Sequence, residues 1–557
     1  MYLKRLVLLL LLSARLLWAQ NQDQPPPNEP IIHLPGVAVS ETMKLRPQEK
    51  WLIGEIGNFD VYTNASENET REFVIKLYKF HQAFTGLFPS IKAISRDKIT
   101  LVLCGSHDKY IDLAPPHTND VDERYGHPAY TSITNAFATI FLVDFDFRSF
   151  FNDGINVGEE GATTFAQATG NEFMDNETLL RQQYMRLIIS RSKPRPPAWL
   201  EEGVVRYFDS LKVSKDKISF GQLDKSLTQF FSDSGNNLHR MMSLADFFAV
   251  DYNSPEYTKS IGGRFSHQAL AFVHFGLLGK KGRYRQGFLQ FIDRACKEPV
   301  TEAMFKSCFN MSYEDMGYLL FAYAQGGFYR HVVAPKLKDF PPTPPLEFHL
   351  ASDAEAGRIK GDILRQVGRY DDARIEYFSP IMRKHADAPL LAELGLLDYE
   401  TGNLVSARKY LEQALTAKAA SLPGYLALAR LRLDEATGQS PDGRLSSDQL
   451  HQVLTPLFAA RDLGRPHIDI YLLIAEAWSK AKVAATPEHL AVLDEGVAAF
   501  PKNTELLYKD AALKVRNGLI DDARPFIELG LRTLRVPAER ERFERLKNSL
   551  PPLPTKP

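Results

Sequence analysis

The chemistry this chain is able to attempt centres on Glu202, in the run P-R-P-P-A-W-L-E-E-G-V-V-R-Y-F between residues 194 and 208. A carboxylate ligates a cation or accepts a proton, and it needs partners to do either. The run just upstream, E-T-L-L-R-Q-Q-Y-M-R-L-I-I-S from residue 177, supplies Gln182, Gln183, Tyr184, Met185 and Arg186. Amides are poor metal ligands, and a guanidinium is always charged and accepts nothing. Other candidates fare worse. Ser266 precedes His267, but neighbours on a helix point about 100° apart, so they form no nucleophile–base dyad, and packing is the better reading. His107, His117 and His127 lie in or beside a stretch rich in His, Asp, Pro and Tyr. Their spacing fits no ligand motif, and solvated loop histidines are expected. Asp144 and Asp146 follow a strand and carry no identifiable role.

Two helices are needed to position these residues. Leu179, Leu180, Tyr184, Leu187 and Ile188 recur at helical spacing, which predicts a first helix burying one stripe. Pro194, Pro196 and Pro197 forbid its continuation. A second helix begins near Trp199 and carries Glu202, Val205 and Phe208 at helical intervals. Upstream, the run from Trp51 to Thr63, Lys98–Cys104 and Ala138–Val143 read as strands. Thr70–Phe88 reads as an amphipathic helix aligning Phe73, Leu77, Phe80 and Phe84, and residues 106–133 read as a long irregular loop.

P-x-W-L-x-E-G, followed by Tyr207 and Phe208, resembles the second half of the active site in peptidase-MA-like (gluzincin-type) zinc metallopeptidase domains. The run Y-T-K-S-I-G-G-R-F-S-H-Q-A-L-A-F-V-H-F from Tyr257 is similar to the helix that follows that site in the family. The resemblance implies an α+β lobe, a small mixed sheet plus helices, whose upstream helix carries H-E-x-x-H. At the family's separation those five positions fall on Gln182, Gln183, Tyr184, Met185 and Arg186. Glu202 matches the third zinc ligand, whereas both histidines and the general-base glutamate are missing. The site is therefore expected to be degenerate, with no catalytic residue and no cofactor. Zinc held by a divergent ligand set is the alternative. Arg186 stands where a zinc-binding histidine would stand, so the resemblance implies a charge-assisted pair between Arg186 and Glu202 in place of the metal. The alternative has Arg186 in solvent and Glu202 paired elsewhere.

Residues 332–346, V-V-A-P-K-L-K-D-F-P-P-T-P-P-L, read as a proline-dense linker and the clearest domain boundary, ending a lobe over residues 50–331. Beyond it, Gly361 and Ala373, Gly395 and Ala407, and Ala511 and Ala523 each stand twelve apart, and Ala414 adds a further small residue. These spacings resemble tetratricopeptide (TPR) helix hairpins, where small residues let paired helices approach. The resemblance implies an all-α TPR solenoid over residues 347–536, followed by a tail over residues 537–557. Such an array has no chemistry of its own and binds a protein or peptide partner. A rigid extension without a ligand is the alternative.

At 557 residues the chain is long enough for two or more domains. Its 67 basic and 68 acidic residues give no bulk basic excess, which argues against a general nucleic-acid binder. The opening M-Y-L-K-R-L-V-L-L-L-L-L-S-A-R-L-L-W-A reads as a signal peptide over residues 1–19, and Arg15 argues against a membrane anchor. A polar, proline-rich leader over residues 20–49 follows. The mature chain is expected to lack a transmembrane segment and to be exported, periplasmic or secreted, and the resemblance points to bacteria. Cys296 and Cys308 are close enough in sequence to pair, with Cys104 left over, or all three are buried thiols. Three functions are weighed on this reading: a non-catalytic scaffold, a zinc peptidase of divergent ligation, and an assembly factor for an envelope or secretion complex.

Overall fold

The computed structural model describes residues 45–87, 98–115, 130–134, 139–145, 176–192, 194–214, 217–223, 226–232, 240–258, 263–326, 329–335, 342–464, 466–534 and 537–551. The chain divides into two compact units, one of residues 47–376 and one of residues 1–46 with 377–557.

The first unit is a mixed sheet with many helices. β1 (Leu52–Ile56) and β2 (Phe59–Thr63) form a hairpin whose turn uses Gly57 at φ +61°, a left-handed conformation open to glycine. α1 (Glu67–Leu87) follows, with Phe73, Leu77, Phe80 and Phe84 all buried on one face. Then come β3 (Ile99–Cys104), α2 (His107–Leu113), β4 (Tyr130–Thr134) and β5 (Thr139–Asp144). The sheet order is β4-β5-β3-β2-β1-β9, with β9 at Phe348–Leu350. β2, β3 and β5 run parallel, and β1, β4 and β9 pair antiparallel. β3 and β5 read as near-continuous apolar runs, as buried parallel strands do.

Next stand α3 (Asn176–Ser190), α4 (Ala198–Phe208), β6 (Lys212–Val213), β7 (Lys217–Phe220), α5 (Ser226–Ser232), α6 (Leu244–Ala249) and α7 (Pro255–Thr258). α8 (Arg264–Leu278), α9 (Arg285–Ala295), α10 (Glu302–Phe309) and α11 (Tyr313–Gln325) complete the helical side, and β8 (Val332–Pro335) adds to a second small sheet, β6-β7-β8. One apolar core joins α1, the sheet and α3 through α11.

Two expectations change here. The stretch 106–133 is not irregular throughout: it contains α2, started by the Ser106 hydroxyl accepting from the Lys109 N–H and anchored by buried Tyr110, and then β4. The compact division also lies beyond the proline-dense stretch. β8 pairs with β7 and β9 with β1, so both sides of that stretch belong to the first unit. So does α12 (Asp353–Gln366), whose nearly buried Lys360 pairs at 2.6 Å with Glu376. Arg369 follows it and donates to the carbonyls of Asp112 at 2.8 Å and Ala114 at 3.1 Å, at the C-terminal end of α2. Those carbonyls have no intrahelical donor, which is why a guanidinium is favoured there. Arg369→Ala is expected to cost about 1.5–3 kcal/mol and to speed amide hydrogen exchange across residues 107–114. Unchanged exchange there would show that the contact holds nothing.

The three cysteines are free thiols. A Cβ added at Gly287 would lie 2.3 Å from the Cys308 carbonyl, so α9 meets Cys308 at residue 287. Cys296 lies roughly 13 Å further along that helix axis, outside the reach of a disulfide.

In the second unit the division falls within α13 (Tyr370–Met382), and helices follow in pairs: α14 (Ala388–Glu400) with α15 (Leu404–Thr416), α16 (Leu422–Gln439) with α17 (Ser447–Asp462), α18 (Ile468–Ser479) with α19 (Pro487–Ala499), and α20 (Thr504–Arg516) with α21 (Ile520–Thr533), then α22 (Pro537–Asn548). Small residues set the close approaches. A Cβ on Gly395 would stand 2.8 Å from Leu411, and Ala407, Ala414, Ala511 and Ala523 are buried. Leu445, in the longer α16–α17 connection, bridges to Ala481 by backbone hydrogen bonds of 2.8 and 2.9 Å to its neighbours Lys480 and Lys482. Among the described residues no helix is long and apolar enough to cross a membrane.

Candidate functional site

α3 and α4 bring the candidate residues together. In α3, Leu180, Tyr184 and Ile188 are fully buried, which fixes the helix rotation. Pro197, extended at φ −60° and ψ 154°, starts α4. Trp199 is locked among the rings of Phe247, Phe248, Phe272 and Phe291, with centroids 5.3–6.2 Å away. Gly203 sits directly against α8: an added Cβ would meet the Ala269 carbonyl oxygen at 2.6 Å. Glycine there lets two helix backbones approach closely enough for side chains of α4 and α8 to meet.

Arg186 Nη2 lies 2.6 Å from Glu202 Oε2, with both groups largely withdrawn from water. The other Glu202 oxygen accepts a hydrogen bond from the Ser266 hydroxyl of α8. Beside this pair stands a second. Glu201, 1% exposed, accepts from the Tyr257 hydroxyl at 2.8 Å on Oε1 and from Arg195 at 3.2 Å on Oε2. The Tyr252 hydroxyl lies 2.9 Å from Glu201 Oε2 and 2.6 Å from the Pro196 carbonyl, and one proton serves both. Arg195 stacks 3.4 Å over the Tyr252 ring. Arg186 reaches across to Glu201 at 3.9 Å, so two guanidiniums balance two carboxylates in one network.

The electrostatics follow from that balance. Burial works against the charge on Arg186, but Glu202, Tyr257 and Glu201 outweigh it and hold the guanidinium more firmly protonated than in water. Arg195 moves the same way, its Glu201 partner outweighing burial. Burial, then the Glu201 charge, pushes the Tyr252 phenol up. On the far side of α3, burial lowers His81 to about 4, so its ring is neutral where Nδ1 meets the Tyr184 hydroxyl. Every carboxylate oxygen of the network has a donor.

No family model matches this chain, and no curated protein is significantly similar to it.

The donor set at the positions of the resemblance does not fit zinc. Gln182 spends its amide N–H on Asp209 at 2.5 Å, and buried Gln183 offers only an amide oxygen, a poor zinc ligand. Arg186 accepts nothing. Glu202, the one suitable ligand, has both oxygens engaged. Among the described residues no three His, Cys, Asp or Glu side chains are grouped to hold a metal.

The structure brings Arg186 and Glu202 together and places Gln182 elsewhere, on Asp209. It adds Glu201, Arg195, Tyr252, Tyr257 and Ser266, for which the sequence carried no shared spacing. Ser266 and His267 diverge: the first meets Glu202, the second stacks 4.0 Å from Phe230 and bonds the Gly263 carbonyl. His274 is enclosed, its ring nitrogens 2.8 Å from the Tyr323 hydroxyl and 3.0 Å from the Gly221 carbonyl. Burial lowers it to about 4 against the raising effect of that carbonyl. His107 is not a solvated loop residue, and Asp144 is not idle: Nδ1 and Oδ2 lie 2.7 Å apart, with Asp144 fully buried at the end of β5. His117, His127 and Asp146 lie outside the described residues.

Proposed function

We propose that the first unit is a non-catalytic relative of the gluzincin metallopeptidases, and that the helical second unit is a TPR-like array through which an exported scaffold docks a protein or peptide partner. The observation carrying the first half is the occupation of Glu202. Its oxygens accept from Arg186 and Ser266, and a guanidinium supplies the positive charge that a cation supplies in such a site. The paired helices of the second unit support the other half. Their first members begin at Ala388, Leu422, Ile468 and Thr504, and small residues mark the crossings. Such pairs present side chains along a surface and hold no reacting group.

Metal analysis of the purified full-length chain tests the first half. Wild type is expected to carry no stoichiometric zinc, and the triple variant Gln182→His, Gln183→Glu, Arg186→His is expected to gain it. Stoichiometric zinc on wild type, lost in Glu202→Ala, would restore the peptidase reading. Failure of the triple variant to gain metal would show that the supporting hydrogen bonds, which fix ligand orientation, were lost along with the ligands.

A further inference from the structure

The first helices of successive pairs pack on one another, but α17 and α19, the second helices of two adjacent pairs, leave a half-open cleft of about 740 Å³. We propose that this cleft seats an apolar segment of a partner polypeptide, whose main-chain carbonyls accept hydrogen bonds from the cleft. The inference rests on the reading of the second unit as a partner-binding array and names the face and the chemistry.

Its floor is apolar, with Leu450, Leu454 and Phe458 from α17, Val492 from α19 and Trp478 from the end of α18. Those surfaces suit aliphatic or aromatic side chains, and the volume lies within the range of small-ligand sites. The polar groups are donors short of acceptors. Trp478 is 5% exposed, and its indole N–H, sealed from water, has no partner among the described residues. A buried donor left unpaired is costly, and a ligand acceptor that reaches it as the stacked His489 ring shifts removes that cost. His489 stacks on the indole with ring centroids 4.8 Å apart. Its Nδ1 accepts from the Thr486 backbone N–H at 3.2 Å, so the ring proton sits on Nε2 and makes that nitrogen a second donor.

Charge decides which acceptor fits. Arg461 crosses the cleft to Glu495 at 2.6 Å, and Tyr471 adds a bond to the same carboxylate at 2.9 Å. Glu488 stands exposed at the other end. The guanidinium is neutralised by Glu495, and Glu488, hydrogen-bonded at the start of α19, leaves the cleft a net negative charge, so an anionic ligand is disfavoured. A neutral carbonyl is the acceptor that suits these donors, and an apolar peptide combines such carbonyls with side chains for the floor.

The test uses the full-length chain, a library of short end-blocked peptides, and NMR of the Trp478 indole N–H, assigned with Trp478→Phe. Apolar peptides are expected to bind and to shift that resonance. Ala491→Trp, which fills the cleft from an exposed position on α19, is expected to weaken them about tenfold or more. Trp478→Phe, which keeps a ring but loses the N–H, is expected to weaken them about 2- to 10-fold. Binding that Ala491→Trp leaves unchanged would overturn the assignment, and so would a library with no binder. Preference for a fatty acid or an acidic peptide over neutral apolar ones would overturn the occupant. A protein partner captured equally by wild type and Ala491→Trp would leave the array reading standing while this cleft fails. Peptide binding here with no protein partner found for the full chain would reverse that outcome.

Discussion

Arg186→Met is expected to destabilise the first unit by about 3–5 kcal/mol, the cost of leaving a buried carboxylate without its cation. The substitution keeps an unbranched side chain of similar reach, so lost volume contributes little. What remains is Glu202, 3% exposed, with Ser266 as a neutral donor and the guanidinium that met its other oxygen removed. Replacing both partners, Arg186→Met with Glu202→Leu, is expected to recover most of the loss and bring the chain to within about 1–2 kcal/mol of wild type. The residue of the cost is the Ser266 hydroxyl, left without its acceptor. The second pair does not rescue the single variant, because Glu201 is itself a carboxylate and Arg195 already serves it. Because a chain of two units does not unfold as one transition, the readout is hydrogen exchange over residues 176–208 together with the melting step of the first unit. Equal losses in the single and double variants would mean that the two groups are not energetically coupled, however short the contact.

How far the sequence led depends on what carried the signal. The rotation of α3 was legible in Leu180, Tyr184 and Ile188, because burial on one face forces a helical period. The face of α1 was legible in its four phenylalanine and leucine positions for the same reason. The meeting of Arg186 with Glu202 was legible only through the family resemblance, since nothing local ties two residues on successive helices across a proline turn. Glu201, Arg195, Tyr252 and Tyr257 were not legible. They come from separate segments, and a hydrogen bond between distant residues leaves no periodic trace in either. The placement of α12 failed for a related reason. Its apolar pattern is that of the helices after it, while the contacts that assign it to the first unit, Lys360 with Glu376 and Arg369 with the end of α2, are polar and specific. His107 and Asp144 show the limit most plainly, for a loop-like composition concealed a short helix that points a ring at a buried carboxylate.

Gly203→Ala is expected to destabilise the first unit by about 1–3 kcal/mol, against the usual sign for a glycine inside a helix. Alanine in place of glycine ordinarily gains about 0.8–1 kcal/mol in a helix interior. At Gly203 the new methyl would lie 2.6 Å from the Ala269 carbonyl oxygen and 2.4 Å from Val273 Cγ2. The valine side chain has some room to turn, but the carbonyl belongs to the α8 backbone and yields only if the helices part. Overpacking of this kind costs about 1–3 kcal/mol, sometimes more, and Gly203→Val should exceed the alanine variant. The parting carries a specific consequence. Ser266 lies on α8 and Glu202 on α4, so the bond between them lengthens first, and exchange should rise in both helices before the sheet is affected. Gly317→Ala in α11 is the control, because nothing lies within 4 Å of its added Cβ, and it should stabilise by the ordinary helical gain. If both alanine variants stabilise alike, α4 and α8 are not in backbone contact at residue 203, and the close approach that seats Glu202 against Ser266 has to be given up.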